Sequence, residues 1–197
     1  MNINIGPGSS FASHIQVNRF ISRTSRYGMD HVPEFSLPNV AVGPNPYSIA
    51  ERPDDVHFVV LFFQRDDYCT NCRKQVQALA DAVEEFRARD AEIVSILPEP
   101  EAAVAEWQER YDLPYPLLAD PDASVGEAYD QPVRFGVLGK LSDFFGRMPV
   151  IVIIDRRGDD PEIAYAYRGT STFDRPGIDE VLAELDELRT GDAVRAE

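Results

Sequence analysis

Apolar residues along the chain follow two rhythms, separated by breaks rich in proline and glycine. Residues 56–63 (Val-His-Phe-Val-Val-Leu-Phe-Phe) are an almost unbroken apolar run of strand length. A run apolar on both faces suits the middle of a sheet covered on both sides. Beyond Cys72 the rhythm changes. Val76, Leu79, Ala80, Val83 and Phe86 recur at helical spacing, with Lys74, Asp81, Glu84, Glu85 and Arg87 between them, and predict an amphipathic helix reaching about Arg89. Residues 91–97 read as a second strand, stopped by Pro98 and Pro100. Residues 101–111 read as a short helix that opens on acidic groups suited to its N-terminal dipole. Residues 115–119 predict a third strand, and Asp120-Pro121-Asp122 caps a brief helix to about Tyr129.

The pattern is lost over residues 131–146. Glycines at 136, 139 and 146 and aromatics at 135, 144 and 145 predict an irregular excursion there. Residues 150–154 restore a strand, 156–161 form a turn, and 163–168 pair back antiparallel. Ile178, Val181, Leu182, Leu185 and Leu188 share one face of a closing helix over 178–189. Before all this, Pro33, Pro38, Pro44 and Pro46 mark an extended lead-in with turns, an edge strand or a hairpin. The order β-α-β-α-β-α-β-β-α predicts an α/β domain with a parallel core and an antiparallel edge.

With 197 residues, 44% of them hydrophobic, the chain has enough apolar surface for one domain with an ample core. No uninterrupted apolar run approaches the length needed to cross a bilayer. The 34 acidic side chains outnumber the 19 basic ones, for a net charge of −15. That balance excludes nucleic acid or an anionic membrane held through a phosphate-neutralising patch. Lys74 and Lys140 are the only lysines, and high acidity with arginine over lysine resembles proteins of salt-loving cytoplasms.

Residues 1–28 differ from the rest. They contain no Asp or Glu, and they carry Arg19, Arg23 and Arg26. They are expected to be a disordered leader or a start codon placed too early, with the domain over 29–190 and a frayed tail over 191–197.

The two cysteines, Cys69 and Cys72, stand between the first apolar run and the strongest helix in a C-x-x-C pattern. A cysteine at a helix N-terminus is acidified by unpaired N–H groups and the helix dipole. Cys69 occupies that place, and Cys72 falls about one turn later on the same face, more buried. The expected chemistry has Cys69 attack a disulfide or peroxide and Cys72 resolve the product, leaving a Cys69–Cys72 bond. Arg65 and Arg73 favour a thiolate here, while Asp66 and Asp67 oppose it. A metal would need two more ligands, and His14, His31 and His57 are not paired at ligand spacing. No cofactor beyond the redox-active disulfide is expected.

These features together resemble the thioredoxin superfamily and, within it, the peroxiredoxin-like AhpC/TSA (redoxin) branch. The likeness runs from about Val32 to Leu188. It is carried by residues 32–38, by Leu61-Phe62-Phe63 through Cys72-Arg73, by residues 113–121, and by Pro149 to Asp155 with Arg156-Arg157-Gly158. The resemblance implies a thioredoxin-like fold: a central mixed β-sheet with helices on both faces. It implies a cis peptide at Met148-Pro149, facing the dithiol and exposing backbone to an extended substrate. Tyr68, Thr70, Asn71, Arg73, Met148 and Pro149 are therefore the expected substrate-positioning residues around Cys69 and Cys72.

The chain departs from peroxiredoxins at three places. The threonine of Pro-x-x-x-Thr-x-x-Cys is Asp66, its proline is Phe62, and the family's arginine before the last core strand is Pro149, with Arg147 two residues away. The function expected is a cytoplasmic thiol–disulfide oxidoreductase with an antioxidant role. It would act on protein disulfides or peroxides and draw electrons from a thiol or thioredoxin system. A true peroxiredoxin with Cys69 peroxidatic and Cys72 resolving is the alternative enzyme. A redox sensor or binding module is the non-enzymatic alternative.

Overall fold

The computed structural model describes residues 31–133 and 147–191. The leader, the tail beyond 191 and the predicted excursion with Phe135, Phe144, Phe145 and its three glycines lie outside the described residues.

Among the described residues, seven strands and four helices follow one another as β1 (Ser36–Leu37), β2 (Tyr47–Ser48), β3 (Phe58–Phe63), α1 (Thr70–Arg87), β4 (Ala91–Leu97), α2 (Glu101–Tyr111), β5 (Leu117–Ala119), α3 (Ser124–Ala128), β6 (Val150–Asp155), β7 (Glu162–Arg168) and α4 (Ile178–Gly191). Five strands form one sheet in the order β5-β4-β3-β6-β7. The doubly apolar run, β3, lies at its centre, and every one of its residues is buried. Phe58, Val60 and Phe62 join a core with α1, α2 and α4. Val59, Leu61 and Phe63 face the other way, onto Phe35, Tyr47, Val125 and Tyr129. The period of two along a strand thus divides β3 between two cores. Helices cover both faces of the sheet, with the small β1–β2 hairpin completing the second cover.

The parallel core expected is formed by β3, β4 and β5, and the β6–β7 hairpin completes the mixed sheet beside β3. β3, β4 and β5 are parallel, but β6 pairs antiparallel with β3, from Phe58 opposite Asp155 to Phe63 opposite Val150. A buried strand reads as the same apolar run in either direction, so the pattern alone does not distinguish them. The consequence for the site is direct. Pairing Phe63 with Val150 brings the Met148-Pro149 segment beside the loop that leaves β3. Pairing Val150 with Arg168 brings the loop after β7 to the same end of the sheet.

Candidate active site

The chain leaves β3 at Phe63, turns through residues 64–68, and enters α1 at Cys69. Cys69 is the N-cap of the helix in extended geometry, and its Sγ accepts the Cys72 N–H at 3.1 Å. This is the anion-favouring position expected from the sequence. Cys69 and Cys72 are joined as a disulfide, with their Cα atoms 5.2 Å apart. Cys69 keeps 6% of its surface exposed and Cys72 none, so Cys69 is the less enclosed of the two.

The loop before the dithiol is held from three sides. The Asp67 carbonyl accepts two bonds from the Arg73 guanidinium, at 3.0 and 2.5 Å. Its N–H donates to Glu99, and its carboxylate accepts from the indole of buried Trp107. Trp107, a core residue, therefore also anchors the active-site loop. Asp66 is buried beside Arg65, 3.6 Å away, and Arg65 donates to the Arg147 carbonyl at 2.7 Å. Arg65 and Arg73, expected to favour the thiolate, are thus engaged with backbone carbonyls of the surrounding loops.

The remaining positioning residues divide. Tyr68 stands 79% exposed, and Thr70 is also in solvent. Asn71 reaches the Thr172 carbonyl at 3.5 Å and ties α1 to the loop after β7. Met148 and Pro149 do adjoin this end of the sheet, but not in the expected form. The cis peptide among the described residues is Asn45–Pro46, and Met148–Pro149 is not cis. Both residues are buried, and the Met148 backbone is already paired: its N–H donates to the Pro132 carbonyl at 2.9 Å, and its carbonyl accepts from Gln131 Nε2 at 3.0 Å. No free backbone edge is left there for an extended peptide. Phe62 and Asp66, at the proline and threonine positions of the peroxiredoxin pattern, do not reach toward a substrate. Phe62 packs edge-on against Phe86 in the core, and Asp66 faces Arg65.

Sequence reasoning missed two residues. Gln131 bridges the carbonyls of Gln64 and Met148, at 3.1 and 3.0 Å, and so binds the dithiol loop to the start of β6. Arg175, from the loop after β7, places Nη2 3.8 Å from Cys72 Sγ. Burial, reinforced by nearby Arg65, pulls the Arg175 pKa below its ordinary value. Neither residue sits in a motif, and each is brought in by strand pairing.

The fold and site define a class: a thioredoxin-like mixed sheet carrying a dithiol at the N-terminus of the helix after its central strand. The profile of the AhpC/TSA family matches residues 29–159, more than half of the chain, and the chain belongs to that family. Chloroplastic peroxiredoxin Q of Suaeda salsa is 30% identical over 102 residues, covering 51% of this chain and 44% of that protein. Peroxiredoxin Bcp of Bacillus subtilis (strain 168) is 29% identical over 90 residues, covering 46% and 53%. The chain spans about half the length of the curated relatives it matches. Among solved structures, peroxidoxin BcpB of Mycobacterium tuberculosis superposes with a TM-score of 0.63 at 25% identity, covering 79% of this chain and 94% of that one.

Proposed function

We propose that the protein is a peroxidase of the peroxiredoxin type, with Cys69 peroxidatic and Cys72 resolving. One observation favours a peroxide over a protein disulfide as oxidant. The backbone that would pair with an extended polypeptide, at Met148, is buried and bonded within the protein, and Cys69 itself keeps only 6% of its surface exposed. A hydroperoxide is a smaller reagent than a folded disulfide protein and needs no such backbone pairing. The names of the relatives point the same way.

In this reading the Cys69 thiolate attacks the terminal oxygen of a hydroperoxide. The O–O bond breaks, an S–O bond forms, and the alcohol or water leaves with a proton taken from solvent. The Cys72 thiolate then attacks the Cys69 sulfenic sulfur. Hydroxide departs as water after protonation, and the disulfide of the described structure results. Two electrons from a thiol donor of the thioredoxin type return the pair to dithiol. A reducing compartment such as the cytoplasm supplies such donors. No helix among the described residues is long and apolar enough to cross a membrane.

The test is peroxide consumption with a thiol donor present. The parent turns over, Cys69→Ser abolishes consumption, and Cys72→Ser stops at a Cys69 sulfenic acid that dimedone captures for mass spectrometry. Steady reduction of a protein disulfide with no consumption of peroxide would overturn the proposal.

A further inference from the structure

Arg175 is held by two bonds that bring no charge. Nη1 donates to Gln75 Oε1 at 2.9 Å, and Nη2 donates to the Thr172 carbonyl at 3.1 Å. The third contact is Cys72 Sγ, 3.8 Å from Nη2. The guanidinium Nε is buried with no hydrogen-bond partner, and no carboxylate hydrogen-bonds to Arg175 among the described residues. A cation acting on it, Arg65, is paired with Asp66. A half-buried guanidinium near a second cation, with its Nε enclosed and no carboxylate bonded to it among the described residues, is costly to maintain. The group it faces is one that gains a negative charge only when the disulfide opens.

We propose that Arg175 is the counter-ion of the Cys72 thiolate and acts on both halves of the redox cycle. This deepens the proposed function, and rests on its assignment of Cys69 as the sulfur that meets external reagents. During resolution, Arg175 keeps Cys72 ionised so that its sulfur can attack the Cys69 sulfenic acid. During reduction, a donor thiolate attacks Cys69 Sγ and forms a mixed disulfide. The Cys69–Cys72 bond breaks and its electron pair leaves on Cys72, where the guanidinium stabilises the charge. Arg175 thereby makes Cys72 the better leaving sulfur and directs the donor to Cys69. The geometry also explains why a fully buried sulfur can carry charge: the cation is already in place before the anion forms. The groups recorded at Cys72 Sγ are thus the Arg175 guanidinium and Cys69 itself, with Arg65, paired with Asp66, acting on Arg175.

Cys69→Ser leaves Cys72 as the only thiol, and its ionisation is read from thiolate absorbance near 240 nm against pH, without any substrate. On that background Arg175→Gln is expected to raise the Cys72 midpoint by about one to two units, a ten- to hundredfold loss of thiolate below both midpoints. Arg175→Lys retains the charge and should restore most of the shift. Gln75→Met, which only frees Nη1, should move the midpoint the same way by less, and it serves if Arg175→Gln does not fold. A purely structural role would lower the unfolding midpoint and leave the Cys72 titration unchanged. That outcome in Arg175→Gln, or in Gln75→Met if the former does not fold, overturns the proposal. Because no turnover is involved, the titration stands or falls apart from the identity of the oxidant.

Discussion

Gln131 offers a sharp test of how the site is held. Its side-chain amide is buried and gives both amide hydrogens to backbone carbonyls, Gln64 O on the loop leaving β3 and Met148 O before β6. Gln131→Met keeps much of the side chain's length and volume but removes both donors. Each carbonyl left unpaired away from water costs about 1–3 kcal/mol, so a loss of at least about 2 kcal/mol is expected for the two. With a urea dependence of about 2 kcal/mol per M, the unfolding midpoint should fall by about 1 M. The assay is urea denaturation followed by fluorescence of Trp107, the one tryptophan and 1% exposed, so its emission shifts when the core opens. Gln77→Met is the control. Gln77 also donates to a backbone carbonyl, that of Arg73, but in solvent, and its loss should stay within about 0.5 kcal/mol. A Gln131→Met midpoint within about 0.25 M of the parent would refute the reasoning, because water or a relaxed backbone would then have satisfied both carbonyls.

Two further outcomes follow from charge. Asp174 closes the loop that delivers Arg175: it accepts from the Tyr167 hydroxyl and from the Thr170 N–H and hydroxyl, and these bonds hold its pKa at about 2, with Tyr167 the largest cause. Tyr167 is in turn pushed up to about 12, chiefly by that same bond. A carboxyl depressed by folding adds stability above its ordinary range, and this is lost as pH falls from that range through about 2. Tyr167→Phe should therefore raise the Asp174 midpoint in a carboxyl NMR titration and flatten the stability profile over that acidic window; an unmoved midpoint would show that the hydroxyl is not the cause. The net charge of −15 should make added salt stabilising, with the melting temperature rising from low salt toward 1 M sodium chloride, and a flat or falling curve would argue against self-repulsion as a significant cost.

Much of the architecture was legible because it rests on short-range rules. An apolar run of strand length, a helical repeat beginning at Cys72, and proline and glycine breaks located the strands and helices within a few residues. The dithiol's chemistry was equally local. A helix N-terminus needs only the start of the helix, and one helical turn separates the sulfur that is reached from the one that is not. The polar loop residues Arg65 and Arg73 show where local reading stops: proximity in sequence placed them near the dithiol, and only the folded loop shows that they also bond the carbonyls of Arg147 and Asp67.

What the tertiary structure decided lies far apart in the chain. Arg175 meets Cys72 across 103 positions, and Gln131 meets Gln64 across 67. Neither meeting follows from periodicity, because both depend on β6 lying beside β3 and antiparallel to it, which a buried apolar run does not encode. The same pairing seals Met148 and Pro149 into the protein, closing the backbone edge that the resemblance had opened to substrate. The sequence by itself therefore determined that a reactive dithiol caps the helix after the central strand. The sheet's order and direction decided which cation faces it and which backbone is closed.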